Sequence, residues 1–238
     1  MPEPQHLRAK RGDIAERVVV SGDPARVVQL SRLLKHSRMV NEYRGFVAYT
    51  GENRRKRFTF ACHGIGGPSA AIVIEELAML GARIIVRLGT CGGVLKSMQV
   101  GDLVVATRAG YLGGTLDYYF KEKRQTTKPD KGLTELLIDS IKYEGIRHYV
   151  GPVFSTDAFY AEGAGFASEK AAEGYKAIEM ECATVFGVGM LRGIRTACVL
   201  IVADNLLHAR PMADAEALKE QVAGVGELVL RSLSRASL

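Results

Sequence analysis

The stretch Ile84-Ile85-Val86-Arg87-Leu88-Gly89-Thr90-Cys91-Gly92-Gly93 sets an arginine near the end of an apolar run and follows it at once with a glycine-rich turn. A short run rich in isoleucine and valine and bounded by glycine reads as a strand buried on both faces, as in sheets covered by helices on each side. An unpaired guanidinium there would be costly. Two kinds of partner would relieve it. One is a bidentate oxyanion such as phosphate, with the Thr90 hydroxyl and the turn amides as further donors; the other is a carboxylate from elsewhere in the chain.

Toward the N-terminus, residues 17–20 form another apolar run, which passes through Ser21-Gly22-Asp23-Pro24-Ala25-Arg26 into a helical pattern over residues 24–35. Asp23 can cap that helix, Pro24 suits its first turn, and Gly22 lets backbone approach a ligand. The free amides and Arg26 would then hold an anion; the alternative is a tight turn with an exposed Arg26. Residues 46–50 and 58–61 read as a hairpin around the basic cluster Arg54-Arg55-Lys56-Arg57, and residues 68–80 as a buried helix ending at Gly81.

Toward the C-terminus the pattern predicts strands at 103–107 and 110–116, a polar loop at 121–131, a helix at 133–143 and a strand at 149–155. A helix at 182–191, a strand at 196–203 and a long helix at 213–233 complete it. Alternating strands and helices of this kind specify an α/β fold: one domain, 1–238, with a central mixed, mostly parallel twisted sheet flanked by helices.

Two further stretches carry carboxylates. Ala177-Ile178-Glu179-Met180-Glu181-Cys182 puts two glutamates at a helix start, where the dipole favours them and where an acid could also accept two sugar hydroxyls. Ala197-Cys198-Val199-Leu200-Ile201-Val202-Ala203-Asp204-Asn205 ends an apolar strand with an acid, at the sheet end where ligands bind in open α/β folds. Burial there would raise the Asp204 pKa and let it donate a proton near neutral pH; the alternative is an ordinary cap for the next loop.

The composition narrows the function classes. Of 238 residues, 47% are hydrophobic and 24% charged, an ordinary globular balance. No apolar stretch reaches the roughly 20 residues of a membrane span, and the polar N-terminus lacks a secretory core, so a cytoplasmic protein is expected. Cys62, Cys91, Cys182 and Cys198 are scattered without metal-ligand spacing and read as buried free thiols, with no metal site. The net charge of +6 would suit an anionic partner, but the basic residues form no long run interleaved with aromatics, so nucleic-acid binding is a minor reading.

Taken in order, GDPARV (22–27), NEYRGF (41–46), HGIGGPS (63–69), RLGTCGG (87–93), STDAFYAE (155–162), EMECA (179–183) and VADN (202–205) resemble the nucleoside phosphorylase family of hexameric purine nucleoside phosphorylases and uridine phosphorylases. The resemblance runs almost end to end, and archaeal 5′-methylthioadenosine phosphorylases look especially similar. It implies reversible phosphorolysis of purine nucleosides (inosine, guanosine, adenosine or 5′-methylthioadenosine) with inorganic phosphate as co-substrate and no cofactor. It also implies a homohexamer built as a trimer of dimers.

By the same resemblance, Gly22, Arg26, Arg87 and Thr90 bind phosphate, joined by Arg44 from a neighbouring subunit. His6, also from the neighbour, contacts the 5′ end of the sugar. Met180 and Glu181 hold the ribose, Phe159 lies beside the base, Ile178 and Glu179 complete the nucleoside site, and Asp204 protonates purine N7. Read without the family, His6 is a tail residue. The Gln and Arg pair of the pyrimidine branch is not evident after Phe159, where Tyr160, Ala161 and Glu162 stand.

Two positions depart from the family pattern. Ala203 stands where many purine enzymes carry Ser, and residues 215–219 lack the arginine that assists the acid, leaving Arg210 or Lys219 as substitutes. Phosphate-independent nucleosidases, uridine phosphorylases and a non-catalytic nucleoside or nucleic-acid binder are the rival readings.

Overall fold

In the computed structural model, which describes residues 3–122, 124–161, 163, 165–208, 212–214 and 216–238, strands and helices alternate along nearly the whole chain. Strand β1 (Arg17–Ser21) leads into helix α1 (Pro24–Ser31), followed by β2 (Lys35–Asn41), a 3-10 turn at Tyr43–Gly45, β3 (Ala48–Asn53) and β4 (Lys56–Cys62). Helix α2 (Gly67–Met79) precedes β5 (Ile84–Gly93), β6 (Leu103–Tyr111), α3 (Thr115–Tyr119), β7 (Thr126–Thr127) and α4 (Lys131–Tyr143). The chain ends with β8 (His148–Ser155), α5 (Phe166–Ala172), β9 (Ala177–Glu179), α6 (Cys182–Arg192), β10 (Arg195–Asn205) and α7 (Lys219–Arg235).

The ten strands found among the described residues belong to one mixed sheet. At its centre β4, β1, β5 and β10 run parallel, while β2, β3 and β6 add antiparallel ladders outside them. Side-chain alternation sorts the two faces. Val18, Val20, Ile85, Cys198, Leu200 and Val202 pack on one side with α2 and α6, whereas Val19, Ile84, Val86, Leu88, Val199 and Ile201 pack on the other with α1, α4 and α7. Arg87 therefore points, by its period-2 position, to the α2/α6 face.

One feature of the topology positions the site. β5 pairs with β1 only as far as Val20↔Arg87. Farther along the same edge it pairs with β9, at Gly92↔Ile178 and Gly93↔Ala177. Between these ladders residues 88–91 have no partner on that edge among the described residues, so the sheet forks. On its other edge β5 keeps β10, and β10, β6, β8 and β9 lead back to β5 as a closed ring.

Several boundaries differ from the sequence pattern. The helix read over 24–35 stops at Ser31, and the residues that follow form β2, whose side chains are exposed from Lys35 to Met39. An edge strand this polar carries no apolar alternation to read, and its charges discourage pairing with another chain. The strand expected at 110–116 is instead the end of β6, followed by α3, and the last helix begins at Lys219 rather than at 213. The basic cluster is a hairpin, with Arg54 and Arg55 both at positive φ (51° and 61°) in its two-residue turn.

All four cysteines are free and buried. Cys182 and Cys198 meet where α6 starts over β10, with their Sγ atoms 2.9 Å apart. Among the described residues no helix is long and apolar enough to cross a membrane.

Candidate active site

Arg87 emerges at the fork. It is 3% exposed and its guanidinium folds back over Gly89, where a Cβ would stand 2.7 Å from Arg87 Cζ, so glycine at 89 is what lets the side chain lie there. The guanidinium is paired within the chain. Its Nε and Nη2 donate to Glu179 Oε2 at 3.2 and 3.0 Å, Nη2 also meets Glu181 Oε2 at 2.6 Å, and Nη1 donates to His63 Nε2 at 3.0 Å. Of the five N–H bonds an arginine carries, one on Nη1 is left.

The carboxylate alternative is realised, and a two-pronged grip on phosphate would require Arg87 to release one glutamate. The two carboxylates hold Arg87 charged, its pKa raised well above the usual arginine value against the effect of burial. Desolvation lowers the Arg26 pKa; Asp23 opposes that shift, and the nearby Arg87 charge adds to it. Asp23 caps α1 as the sequence predicts, accepting the Ala25 amide at 2.8 Å, with Pro24 at the first position.

The two glutamates have different surroundings. Glu179 ends β9 and is turned inward. Besides Arg87 it accepts the Glu181 amide at 2.8 Å, the Cys182 amide at 2.9 Å and the Ser155 hydroxyl. Both of its oxygens are thus occupied by donors of the same chain, and a further hydroxyl could reach it only by displacing one of these. Glu181 accepts the Gly66 amide at 2.8 Å through Oε1 and meets Arg87 through Oε2, joining the α2 start to β5. The segment is a three-residue strand turning into α6 at Cys182, where the sequence pattern showed only a helix start.

Asp204 lies past a β-bulge. The β10–β5 register jumps between Val202↔Cys91 and Asp204↔Gly92, so Ala203 is the extra residue. Bulges re-aim the side chains beside them and recur next to active sites. The Asp204 carboxyl is half-buried, and desolvation alone raises its pKa. Lys219, one substitute for the family arginine, sits on Glu216 at 3.0 Å; Arg210, the other, lies outside the described residues.

Ile178 is buried against Val94 and Phe154, Met180 is half-buried, and Thr90 lies partly open on β5 beside the fork. Phe159 is 53% exposed, its ring edge-on to Tyr160. Arg44 is exposed on the 3-10 turn at φ 55°, projecting from the surface.

His6 is no loose tail. Its amide and Nδ1 both meet the Glu76 carboxylate, at 3.0 and 2.9 Å, and Glu76 also accepts the Gln5 and Leu7 amides. Those hydrogen bonds hold the Glu76 pKa below the ordinary value although burial opposes them. The sequence reading gave no role to Glu76 or to His63. Each lies within an otherwise apolar or glycine-rich run, where a buried charge or imidazole is the available signal. Among the described residues no three of His, Cys, Asp or Glu are grouped to hold a metal ion.

A family model described as the phosphorylase superfamily matches residues 16–236. A guanosine phosphorylase of Halorubrum lacusprofundi is 35% identical over 87% of this chain and 86% of its own, and a uridine phosphorylase of Thermococcus kodakarensis is 34% identical over 84% and 76%. A DeoD-type purine nucleoside phosphorylase of Hahella chejuensis is 32% identical over 89% and 90%. In solved structures, a uridine phosphorylase from Vibrio fischeri superposes with a TM-score of 0.90 at 24% identity, covering 99% of each chain, which is a likeness of fold.

Proposed function

Because the chain belongs to the phosphorylase superfamily, a family of enzymes whose curated relatives above are nucleoside phosphorylases and hence pentosyltransferases, we propose that it catalyses reversible phosphorolysis of purine nucleosides. The observation that carries the purine reading is Asp204. It is a carboxyl raised by burial alone, at the end of a central strand and re-aimed by a bulge, which suits protonating a departing base.

In this reading a phosphate oxygen attacks C1′ of the ribose as the C1′–N9 bond breaks, and the bonding pair leaves on the purine. Asp204 gives its proton to N7, and the products are free base and ribose 1-phosphate. Arg26, Arg87, the Gly22 turn and Thr90 hold the phosphate. Glu181 orients the ribose hydroxyls, Met180 and Ile178 pack beneath the sugar and base, and Phe159 closes over the base.

Charge supports a shared site. Within one chain Arg87 faces Glu179 and Glu181 and Arg26 feels Asp23, a balance that offers a phosphate anion no net attraction. Arg44, exposed on its turn, supplies the missing charge to a neighbour, and His6, pinned by Glu76, reaches the same neighbour's 5′ sugar end. A homohexamer in the cytoplasm, assembled from such dimers, is the form proposed.

A panel of inosine, guanosine, adenosine, 5′-methylthioadenosine and uridine in phosphate buffer tests the base preference. Purine nucleosides should be cleaved and uridine left largely intact; preferential cleavage of uridine would overturn the purine assignment.

A further inference from the structure

His63 is wholly buried between the Gly22 turn and Arg87, and every polar atom it has is engaged. Its amide donates to Ser21 O at 2.9 Å, and its carbonyl accepts the Ser69 hydroxyl at 2.7 Å. Its Nδ1 meets Gly64 O at 2.7 Å, and its Nε2 meets Arg87 Nη1 at 3.0 Å. A Cβ on Gly22 would lie 3.5 Å from His63 Cε1, so the ring backs directly onto the glycine turn.

These partners fix the tautomer. A carbonyl only accepts and a guanidinium only donates, so the proton sits on Nδ1 and Nε2 presents a lone pair. Burial, reinforced by the Arg87 charge, pushes the ring's pKa down to about 3, so it stays neutral under ordinary conditions.

We infer that His63 is a positioning residue for phosphate binding: as a neutral acceptor it fixes the plane of the Arg87 guanidinium, and with it the direction of the one N–H left for the anion. Neutrality matters because of the neighbours. Arg87 already faces two carboxylates, and a third in place of His63 would satisfy the same N–H while cancelling charge the phosphate needs. An apolar residue would leave that N–H buried without an acceptor. The inference rests on the phosphorylase reading of the site.

Two substitutions separate this role from a purely structural one. His63→Gln can set an acceptor near the Nε2 position but loses the Gly64 bond; His63→Asn keeps a donor toward Gly64 but does not reach Arg87. Phosphate affinity is measured by calorimetry on the whole enzyme, with KM for phosphate and for nucleoside determined alongside. If an acceptor to Arg87 is what matters, His63→Asn weakens phosphate about tenfold with nucleoside KM changed less than about twofold, and His63→Gln stays within about threefold of wild type.

Wild-type affinity in His63→Asn, or greater damage from Gln than from Asn, would overturn the inference and leave the phosphorylase reading standing. A wild-type enzyme that binds no phosphate and releases base without it would remove that reading and the inference together.

Discussion

At the scale of single residues the site is organised around one guanidinium. Glu179 and Glu181 lie more than 90 residues along the chain from Arg87, yet all three are buried together at the fork in the sheet. Replacing Arg87 by alanine would strand two buried carboxylates, so the variant should lose about 3–5 kcal/mol of stability in urea denaturation. A loss below about 1 kcal/mol would mean the carboxylates find other partners.

Asp204 gives a cleaner kinetic handle, because no ion pair depends on it among the described residues. Its raised pKa means that the proton-donating form persists to higher pH than for an ordinary aspartate, and turnover of 6-oxopurine nucleosides should fall as pH rises through that value. Asp204→Ala should remove that limb and lower kcat by about 10² to 10⁴-fold with KM for phosphate unchanged. Unaltered turnover would refute its role as the acid. Arg87 and Asp204 were legible in sequence because each is a charge set in or at the end of an otherwise apolar strand. The Arg87 partners were not, since pairing across the fold leaves no local trace.

At the scale of elements, strands with apolar runs such as β1, β5 and β10 could be read directly, and so could helices with a strong apolar stripe. What escaped was short or polar: β2 at the sheet edge, the five residues of α3, the two of β7, the three of β9, and α5. Helix α2 hid a different feature. Glu76 occupies its buried face, a position the pattern treats as apolar, and gathers the amides of residues 5–7.

Glu76→Gln should cost about 2 kcal/mol and speed hydrogen exchange at residues 5–7 without melting α2. Because the Glu76 pKa is lowered in the fold, its contribution is present above the unfolded carboxylate pKa and is lost as pH falls through the folded value. The wild-type segment should therefore loosen only in acid. Exchange at residues 5–7 unaffected by the substitution would contradict the anchor.

At the scale of the whole molecule, the two-faced alternation of the central strands made the α/β architecture predictable, whereas the ring through β10, β6, β8 and β9 depends on a strand too short to announce itself. The proposed sharing of sites between neighbours makes its own prediction. Arg44→Ala and Asp204→Ala subunits, each severely impaired alone, should recover part of the activity when dissociated and reassembled together, since a mixed dimer then contains one intact site. No recovery, with mixed assembly verified by mass, would place Arg44 in its own chain's site or outside any site.

The most direct measurement compares base release from a purine nucleoside with and without inorganic phosphate while the sugar product is identified. The site described here should require phosphate and yield ribose 1-phosphate in equal amount to the free base. Equal base release in phosphate-free buffer, with free ribose as the product, would contradict it and make the enzyme a hydrolase.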